Sequence, residues 1–198
     1  MSTHQPERVD GITTYNRIIK TAKSLFSKKG FHATSTNEII LKAKIATGTF
    51  YQYFDSKRDL YNYLVKDYRT RIFKTIKESI TNYTKREDIE YYGIKAYLDF
   101  VIKDRLAYKI IWESLFVDEE FFFNYYVTFA RKYAQQLALF SDVNQNIDLE
   151  VMSFVLIGIS NFVGIELLSK KNPLEIDTNF YVEEILKILR KGIFSESH

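Results

Sequence analysis

Residues that break or turn the chain are scarce in this sequence. Seven glycines and two prolines are spread over 198 residues, so there are few positions for the sharp turns that a many-stranded sheet requires. The apolar fraction is 46%, enough to bury a core in one large domain or in a small domain joined to a larger one. The sequence therefore predicts an all-α protein with long helices.

Apolar residues recur every three or four positions, the period of one helix face. The first helix is predicted over Thr14 to Lys29, where Gly30 ends it because glycine adopts the left-handed conformation at little cost. Residues 1–13 lack this period and are predicted to form a flexible arm. A short second helix is expected after the hydroxyl run at residues 34–36, and a third over 47–53.

The fourth helix is predicted to be unusually long, from Lys57 to about Tyr83. Ser56 is its expected cap and Asp59 the partner in a capping box. The domain boundary is expected inside this helix, which gives a first helical domain over 14–60 and a second helical domain over 61–198. Further helices are predicted over residues 88–103, 105–116, 119–140, 147–170 and 179–194.

Several functional classes are disfavoured by composition. The chain has no cysteine, and its histidines, His4, His32 and His198, lie far apart, so no metal or cofactor is expected. No residues suggest a nucleophile, base and oxyanion site, so we do not expect an enzyme. The N-terminus shows no secretory signal, and apolar runs such as Val151 to Ile159 are shorter than a bilayer span. We expect a soluble, cytoplasmic protein without a membrane segment.

Positive charge is concentrated at the N-terminal end. Through Leu60 there are ten Lys and Arg against five Asp and Glu, a net charge of +5, whereas the remainder carries eighteen against twenty. Such asymmetry favours contact between the first segment and a polyanion. A solvated basic surface without a partner is the alternative explanation of this charge.

Two short helices joined by a tight turn form the helix-turn-helix pattern. The stretch from Ile18 to Leu64 resembles the DNA-binding segment of the TetR family. The resemblance is carried by a first helix ending in Lys-Lys-Gly-Phe, the Thr-Ser-Thr cap, the third helix Thr-Gly-Thr-Phe-Tyr-Gln-Tyr-Phe and the Ser-Lys pair that opens the fourth. It implies a dimeric transcriptional repressor with an N-terminal three-helix DNA-binding domain and a C-terminal domain for ligand binding and dimerisation.

The chain departs from the family pattern at two positions. Lys44 stands where the family usually has glycine in the turn, which implies either a left-handed lysine or an altered turn. Ala46 stands where serine usually caps the third helix, so one cap hydrogen bond is lost or moves to Thr47.

A helix that enters the major groove reaches base edges only with outward side chains near its N-terminal end. These positions are Thr47, Gly48, Thr49 and Gln52, and Asn37 on the second helix is a further candidate. Gln52 can pair with adenine, the threonine methyl groups can contact thymine, and Gly48 permits close backbone approach. The alternative is that both threonines merely start the helix.

Phosphate contacts are implied by the family resemblance for Tyr51, Tyr53 and Lys57. A lysine at the start of a helix is a reasonable anion site. Thr36 and Lys44 are weaker phosphate candidates. Burial of Tyr51 in the core and simple solvation of Lys57 remain open alternatives.

Aromatic residues are dense between Tyr91 and Tyr133, which hold 14 of the 32 in the chain. Such a cluster can fill a core or line a cavity. The resemblance implies a pocket for a small apolar or amphipathic effector, and both an acyl chain and a cationic drug fit this description. The residues predicted to line it are Tyr108, Trp112, Glu113, Phe129 and Asn161.

The last two helices are apolar on more than one narrow stripe and therefore need a partner. By resemblance they form a four-helix interface in a homodimer, whose two DNA-binding domains would address operator half-sites about one DNA turn apart or somewhat more. The predicted interface residues are Val155, Ile159, Phe162, Ile185 and Leu189. A helical carrier of apolar ligands, or a small enzyme that uses the aromatic cavity, is the alternative function.

Overall fold

The computed structural model describes residues 6, 8–144, 146–172 and 175–191. Throughout this part of the chain the regular structure is helical, which confirms the predicted fold class. The helices are α1 (Val9–Lys29), α2 (Thr36–Ala43), α3 (Thr47–Tyr51), α4 (Lys57–Ile80), α5 (Arg86–Lys103), α6 (Arg105–Val117), α7 (Glu119–Leu137), α8 (Leu149–Ser169) and α9 (Thr178–Lys191).

The chain forms two compact units. Unit 1 consists of Met1–Arg71 and Leu106–Phe122, and unit 2 of Ile72–Arg105 and Phe123–His198. The division falls inside α4, but later than the predicted boundary after residue 60. Unit 1 also includes most of α6, because that helix packs against the N-terminal helices through contacts that are distant in sequence.

The helix ends differ from the predicted ones at several places. α1 begins at Val9, so part of the predicted arm is helical, and Asp10 lies in its first turn, where an acidic residue suits the helix dipole. Residues 1–5 and 7 of that arm, with His4, lie outside the described residues. So do residues 192–194 of the last predicted helix and His198. α3 ends at Tyr51, two residues earlier than predicted.

Unit 1 has an aromatic and aliphatic core built from α1 to α4 and α6. Ile18, Phe26, Ile39 and Phe50 are almost completely buried. Tyr15 of α1 stacks on Phe54, just beyond α3, with ring centroids 5.4 Å apart. These contacts fix α3 against α1, so one face of α3 is buried and the opposite face is left to solvent.

The turn between α2 and α3 shows how the two departures from the family pattern are accommodated. Ser35 caps α2 by accepting a hydrogen bond from the Glu38 backbone N–H at 3.1 Å. Lys44 adopts the left-handed conformation with φ 52° and ψ 53°, so this position keeps the backbone that glycine would adopt. Ala46 precedes α3 without a side-chain cap, which identifies the cap hydrogen bond as lost.

Gly30 ends α1 with φ 81° and ψ 170°. Its φ is positive, as expected for the predicted cap, but its ψ is extended instead of left-handed. A Cβ atom at this position would lie 2.6 Å from Oε1 of Glu113. That same oxygen accepts a hydrogen bond from the Phe31 backbone N–H at 2.7 Å. Glycine is therefore required here both by its backbone conformation and by the carboxylate of α6.

Unit 2 is built around α5, which packs against α8 and α9. Their shared core contains Ile94, Leu98, Leu167, Val182, Ile185 and Leu186. The C-terminal end of α8 is held by Arg105, whose guanidinium donates to the carbonyls of Leu167 at 3.2 Å and Lys170 at 2.9 Å. A cation at this end also suits the helix dipole.

α8 is more apolar than its neighbours. Among the described residues it is the one helix long and apolar enough to cross a membrane, with a mean hydropathy of 2.0 over its most apolar window. The sequence analysis expected every apolar run to be shorter than a bilayer span, and it therefore missed the length and apolar character of α8. Core helices of proteins outside membranes have the same length and composition, so one such helix is weak evidence of a membrane segment.

Replacing Gly30 with alanine should destabilise the protein. The positive φ with extended ψ costs a residue with a side chain about 1–3 kcal/mol, and the new methyl group would displace the Glu113 carboxylate. Urea unfolding of Gly30→Ala measures this cost. Gly48→Ala is the matched control, because a Cβ at Gly48 meets no atom within 4 Å. Equal stability of the two variants would contradict the conformational argument.

Candidate nucleic-acid interface and ligand cavity

The solvent-facing side of α3 carries the residues predicted to read bases. Thr47, Gly48 and Gln52 are exposed, and Thr49 is half-buried. The opposite side carries Phe50, which is fully buried. Together with the open space around Gly48, this arrangement leaves a surface that a groove can approach closely.

The tyrosines at the end of α3 have different environments. Tyr51 is 53% exposed although its ring contacts that of Phe50 edge-on, so its burial in the core is excluded. Tyr53 is half-buried and lies edge-on against Tyr15, with centroids 5.6 Å apart. Tyr51 therefore presents more of its ring and hydroxyl to an outside partner than Tyr53 does.

The cations around α2 are not equally available. Glu38 accepts from Lys29 at 2.7 Å and from Lys42 at 3.1 Å, and these two bonds hold the pKa of its carboxyl below the usual value. Lys44 is exposed and has no acidic partner within the described part of the chain. Asn37 is also exposed, whereas Thr36 is half-buried. Lys44 is therefore the cation of this region with its charge uncompensated.

The amine of Lys57 has two partners inside unit 1. Its Nζ donates to the backbone carbonyls of Phe31 and Thr34, each at 2.7 Å, and lies 4.1 Å from the centre of the Phe31 ring. Burial lowers the pKa of this amine. The side chain ties the start of α4 to the turn after α1 with two of its three donors, and its phosphate contact stays a prediction.

Unit 2 contains a cavity with a volume of about 340 Å³, within the range of about 300–1,000 Å³ typical of small-molecule sites. Residues from α4, α5, α7 and α8 line it, and most are apolar. The apolar lining includes Phe73, Ile76, Ile80, Ile94, Phe129 and Leu137. Phe73 and Phe129 meet edge-on with centroids 4.8 Å apart, which places two aromatic rings in one part of the wall.

The polar groups in the cavity wall form two internal networks. Glu90 is paired with Arg86 and accepts from the Tyr133 hydroxyl, and burial raises the pKa of Tyr133. In the second network, the Tyr97 hydroxyl donates to Oδ1 of Asn161 at 2.9 Å, and Nδ2 of Asn161 donates to the Ile157 carbonyl. Both networks are internal to the chain, although Nε of Arg86 is buried without a hydrogen-bond partner.

The residues predicted to line a pocket are divided between the two units. Phe129 and Asn161 line the cavity. Tyr108, Trp112 and Glu113 belong to unit 1 and are not among its lining residues. Glu113 interrupts an otherwise apolar stretch of α6. The structure gives a reason for that interruption, since its carboxylate accepts a hydrogen bond from the Phe31 N–H and lies 3.3 Å from the Tyr61 hydroxyl.

Sequence reasoning missed the ionic part of the cavity wall. Arg86 and Glu90 lie one helical turn apart near the start of α5, a spacing that favours an ion pair. Their burial beside Tyr133 depends on α7, which is distant in sequence. The i,i+4 spacing was the available signal, but it is equally typical of a solvent-exposed pair.

An exposed apolar face runs along α8 and α9. Of the predicted interface residues, Val155 is 54% exposed, Phe162 68% and Leu189 37%. Ile159 is half-buried and packs against the unit 2 core. Ile185 is buried inside that core, so its placement differs from the prediction. Further exposed apolar residues on the same helices are Val151, Phe154, Ile165, Phe180 and Ile188.

Comparison with known proteins identifies the N-terminal segment. Residues 18–64 match the family described as "Bacterial regulatory proteins, tetR family", the same stretch that carries the sequence resemblance. The transcriptional activator FasR of Mycolicibacterium smegmatis is 24% identical over 52% of this chain and 47% of its own length. The TetC protein of transposon Tn10 from Escherichia coli is 33% identical over 50% of this chain and 49% of its own length.

The fold is also shared with solved structures. The Bacillus subtilis regulator FadR in complex with stearoyl-CoA matches 91% of this chain and 100% of its own chain with a TM-score of 0.71, at 17% sequence identity. At such identity the likeness concerns the fold. The chain spans about half the length of FasR and of TetC.

Replacing Lys57 with methionine should destabilise unit 1 by about 1–2 kcal/mol, because the carbonyls of Phe31 and Thr34 lose their donor while partly buried. Urea unfolding measures the change. Arg58→Met is the matched control, since Arg58 is the neighbouring exposed cation and should change stability little. If both variants unfold at the same urea concentration as the parent protein, Lys57 does not have this structural role.

Proposed function

Because the chain belongs to the TetR family of bacterial regulatory proteins, we propose that it is a ligand-responsive transcriptional regulator, a repressor released from operator DNA by a small apolar or amphipathic effector. The observation that carries the proposal is the two-sided α3. Phe50 anchors one side in the core, while Thr47, Gly48 and Gln52 remain exposed on the other. A rigid helix with a polar outward face is what major-groove recognition requires.

Base recognition is assigned to Thr47, Gly48, Thr49 and Gln52, with Asn37 on α2 as a further contact. The exposed Tyr51 and Lys44 are the phosphate contacts that the structure supports best, because their polar groups are available to a partner. Phosphate contacts fix the position of a protein on the duplex, whereas base contacts provide specificity. Lys57 contributes indirectly, since it holds the start of α4 against the turn after α1.

A homodimer is assigned to the exposed face of α8 and α9, in particular Val155, Phe162 and Leu189. Several large apolar residues exposed on two adjacent helices favour contact with a second copy. A two-fold dimer presents two α3 helices, and this symmetry matches that of a palindromic operator. Such a regulator acts in the cytoplasm.

The effector site is assigned to the cavity of unit 2. Its apolar wall suits an effector with a hydrocarbon part, and the similar structure of Bacillus subtilis FadR holds stearoyl-CoA. Effector binding must favour a conformation with weaker DNA affinity, since a ligand with equal affinity for both conformations changes nothing. α4 contributes residues to both units, so it is the element through which a change in the cavity wall reaches the DNA-binding helices.

The cavity on its own is also compatible with a carrier of apolar ligands, the second candidate function. The two functions differ in their response to salt. DNA affinity falls steeply as salt increases because bound counterions are released, whereas affinity for an apolar ligand hardly changes. A chain that binds ligand but no duplex at low salt would support the carrier function.

Replacing Gln52 with alanine should weaken binding to the preferred operator by about 1–3 kcal/mol, the value of one bidentate base contact. Binding to unrelated duplex DNA should stay unchanged, because phosphate contacts dominate there. The operator is first selected from a random duplex library, and affinities are then measured by fluorescence anisotropy. Gln135→Ala, at an exposed position of α7, is the matched control. Equal losses on both kinds of DNA would show that Gln52 does not read a base.

Replacing Phe162 with glutamate should convert the dimer to a monomer. The side chain is 68% exposed, so the change leaves the protomer folded but places a charge within the proposed apolar interface. Analytical ultracentrifugation measures the mass. Leu139→Glu changes a side chain that is 74% exposed outside α8 and α9 and should leave the dimer intact. A dimer that persists in Phe162→Glu would place the interface elsewhere.

A further inference from the structure

Two lysines stand at the solvent-exposed side of the unit 2 cavity. Lys77 of α4 and Lys132 of α7 both line it and are both exposed. Neither has an acidic partner or a hydrogen bond from its amine among the residues that the structure describes. Their charges therefore point to a ligand group that reaches the exposed side of the cavity.

The inner wall has no unpaired carboxylate that could compensate a cationic ligand. Glu90 is the acidic side chain in the lining, and it is paired with Arg86 and bonded to Tyr133. Asn161 is engaged by Tyr97 and by the Ile157 carbonyl, and the Ser160 hydroxyl donates to the Leu156 carbonyl at 3.1 Å. Nε of Arg86 is the exception among these groups, since it is buried without a hydrogen-bond partner. The other polar groups named here are bonded within the chain and lie between apolar side chains, which suits the hydrocarbon part of a ligand.

We propose that the cavity binds a single-chain amphiphile with an oxyanion head, with the chain inside and the head between Lys77 and Lys132. This proposal rests on the proposed function, because it specifies the chemical class of the effector. It also decides between the acyl chain and the cationic drug that the sequence left open. The cationic drug is disfavoured because two uncompensated lysines repel it, and Glu90 is already neutralised by Arg86.

Aromatic rings are the feature that would favour a cation. Phe73, Phe129, Tyr97 and Tyr133 all line the cavity, and a cation over an aromatic face gains about 0.5–2 kcal/mol. A cationic head placed among these rings would have to leave water without any unpaired carboxylate to compensate it. An anionic head can stay at the exposed side and keep its hydration. The attraction of the two lysines for an anion therefore outweighs the attraction of the aromatic rings for a cation.

The first experiment compares head groups on one chain length. Isothermal titration calorimetry measures binding of dodecanoate, dodecyl phosphate, dodecanol and dodecyltrimethylammonium, each below its micelle concentration. Both anions should bind about fivefold to tenfold more tightly than the alcohol, as expected for two exposed charge pairs, and the cation should bind most weakly. The order of the two anions identifies the head as carboxylate or phosphate, and either order supports the proposal. Equal or tighter binding of the cation overturns it.

The second experiment reverses the two charges. In the double variant Lys77→Glu, Lys132→Glu, dodecanoate should lose about fivefold to tenfold in affinity and dodecyltrimethylammonium should gain. Lys103→Glu, at an exposed position of α5 outside the cavity, is the matched control and should bind both ligands as the parent does. Unchanged dodecanoate affinity in the double variant overturns the placement of the head.

A chain-length series from octanoate to hexadecanoate tests the position of the tail. Each added methylene that enters the cavity should tighten binding about fourfold, until the cavity is full and the affinity levels off. A series without any dependence on chain length overturns the proposal. Operator binding without ligand, measured on the same preparation, keeps the two proposals apart. If operator DNA binds but the cation is the preferred ligand, the regulator function stands and the anionic head fails.

Discussion

The carboxylate of Glu113 organises the part of unit 1 on which the proposed DNA recognition depends. It accepts the Phe31 backbone N–H, and its second oxygen lies 3.3 Å from the Tyr61 hydroxyl, a potential donor. It also leaves no room for a side chain at residue 30. Lys57 satisfies the carbonyl of the same Phe31. One short turn therefore has its N–H bound to α6 and its carbonyl bound to α4, and this fixes where α1 ends and α2 begins.

The position of α3 follows from that arrangement. Ser35 caps α2 shortly after the turn at Phe31, and the left-handed Lys44 then directs the chain into α3. With Phe50 buried below, the exposed side of α3 has little freedom to change its orientation. A surface that recognises bases needs this rigidity, because groups that must first be ordered contribute less to affinity. Two of the supporting groups, Glu113 and Lys57, are charged, yet neither needs to contact DNA.

Local patterns in the sequence predicted the elements well, and contacts between distant residues account for what was missed. The helix of residues 47–51, the cap at Ser35 and the positive φ at Gly30 follow from nearby residues, because propensity and capping act over one turn. Glu113 was interpreted as a pocket residue and Lys57 as a phosphate ligand. Their actual partners lie 82 and 26 residues away along the chain, and no periodicity encodes such pairings. The place of Arg86 and Glu90 in the cavity wall was missed for the same reason, because it depends on contacts with helices that are distant in sequence.

The high apolar content of α8 is explained by the fact that three of its sides are apolar. One side packs through Leu167 into the core with α5 and α9, and another contributes Leu156 and Ile157 to the cavity. A third side leaves Val155 and Phe162 exposed. A helix with three apolar sides has no polar face, so its sequence approaches that of a membrane span, while its surface packs within unit 2 or belongs to the proposed dimer interface. Asn161, bonded to Tyr97, shows that α8 still carries a buried polar contact specific to this fold.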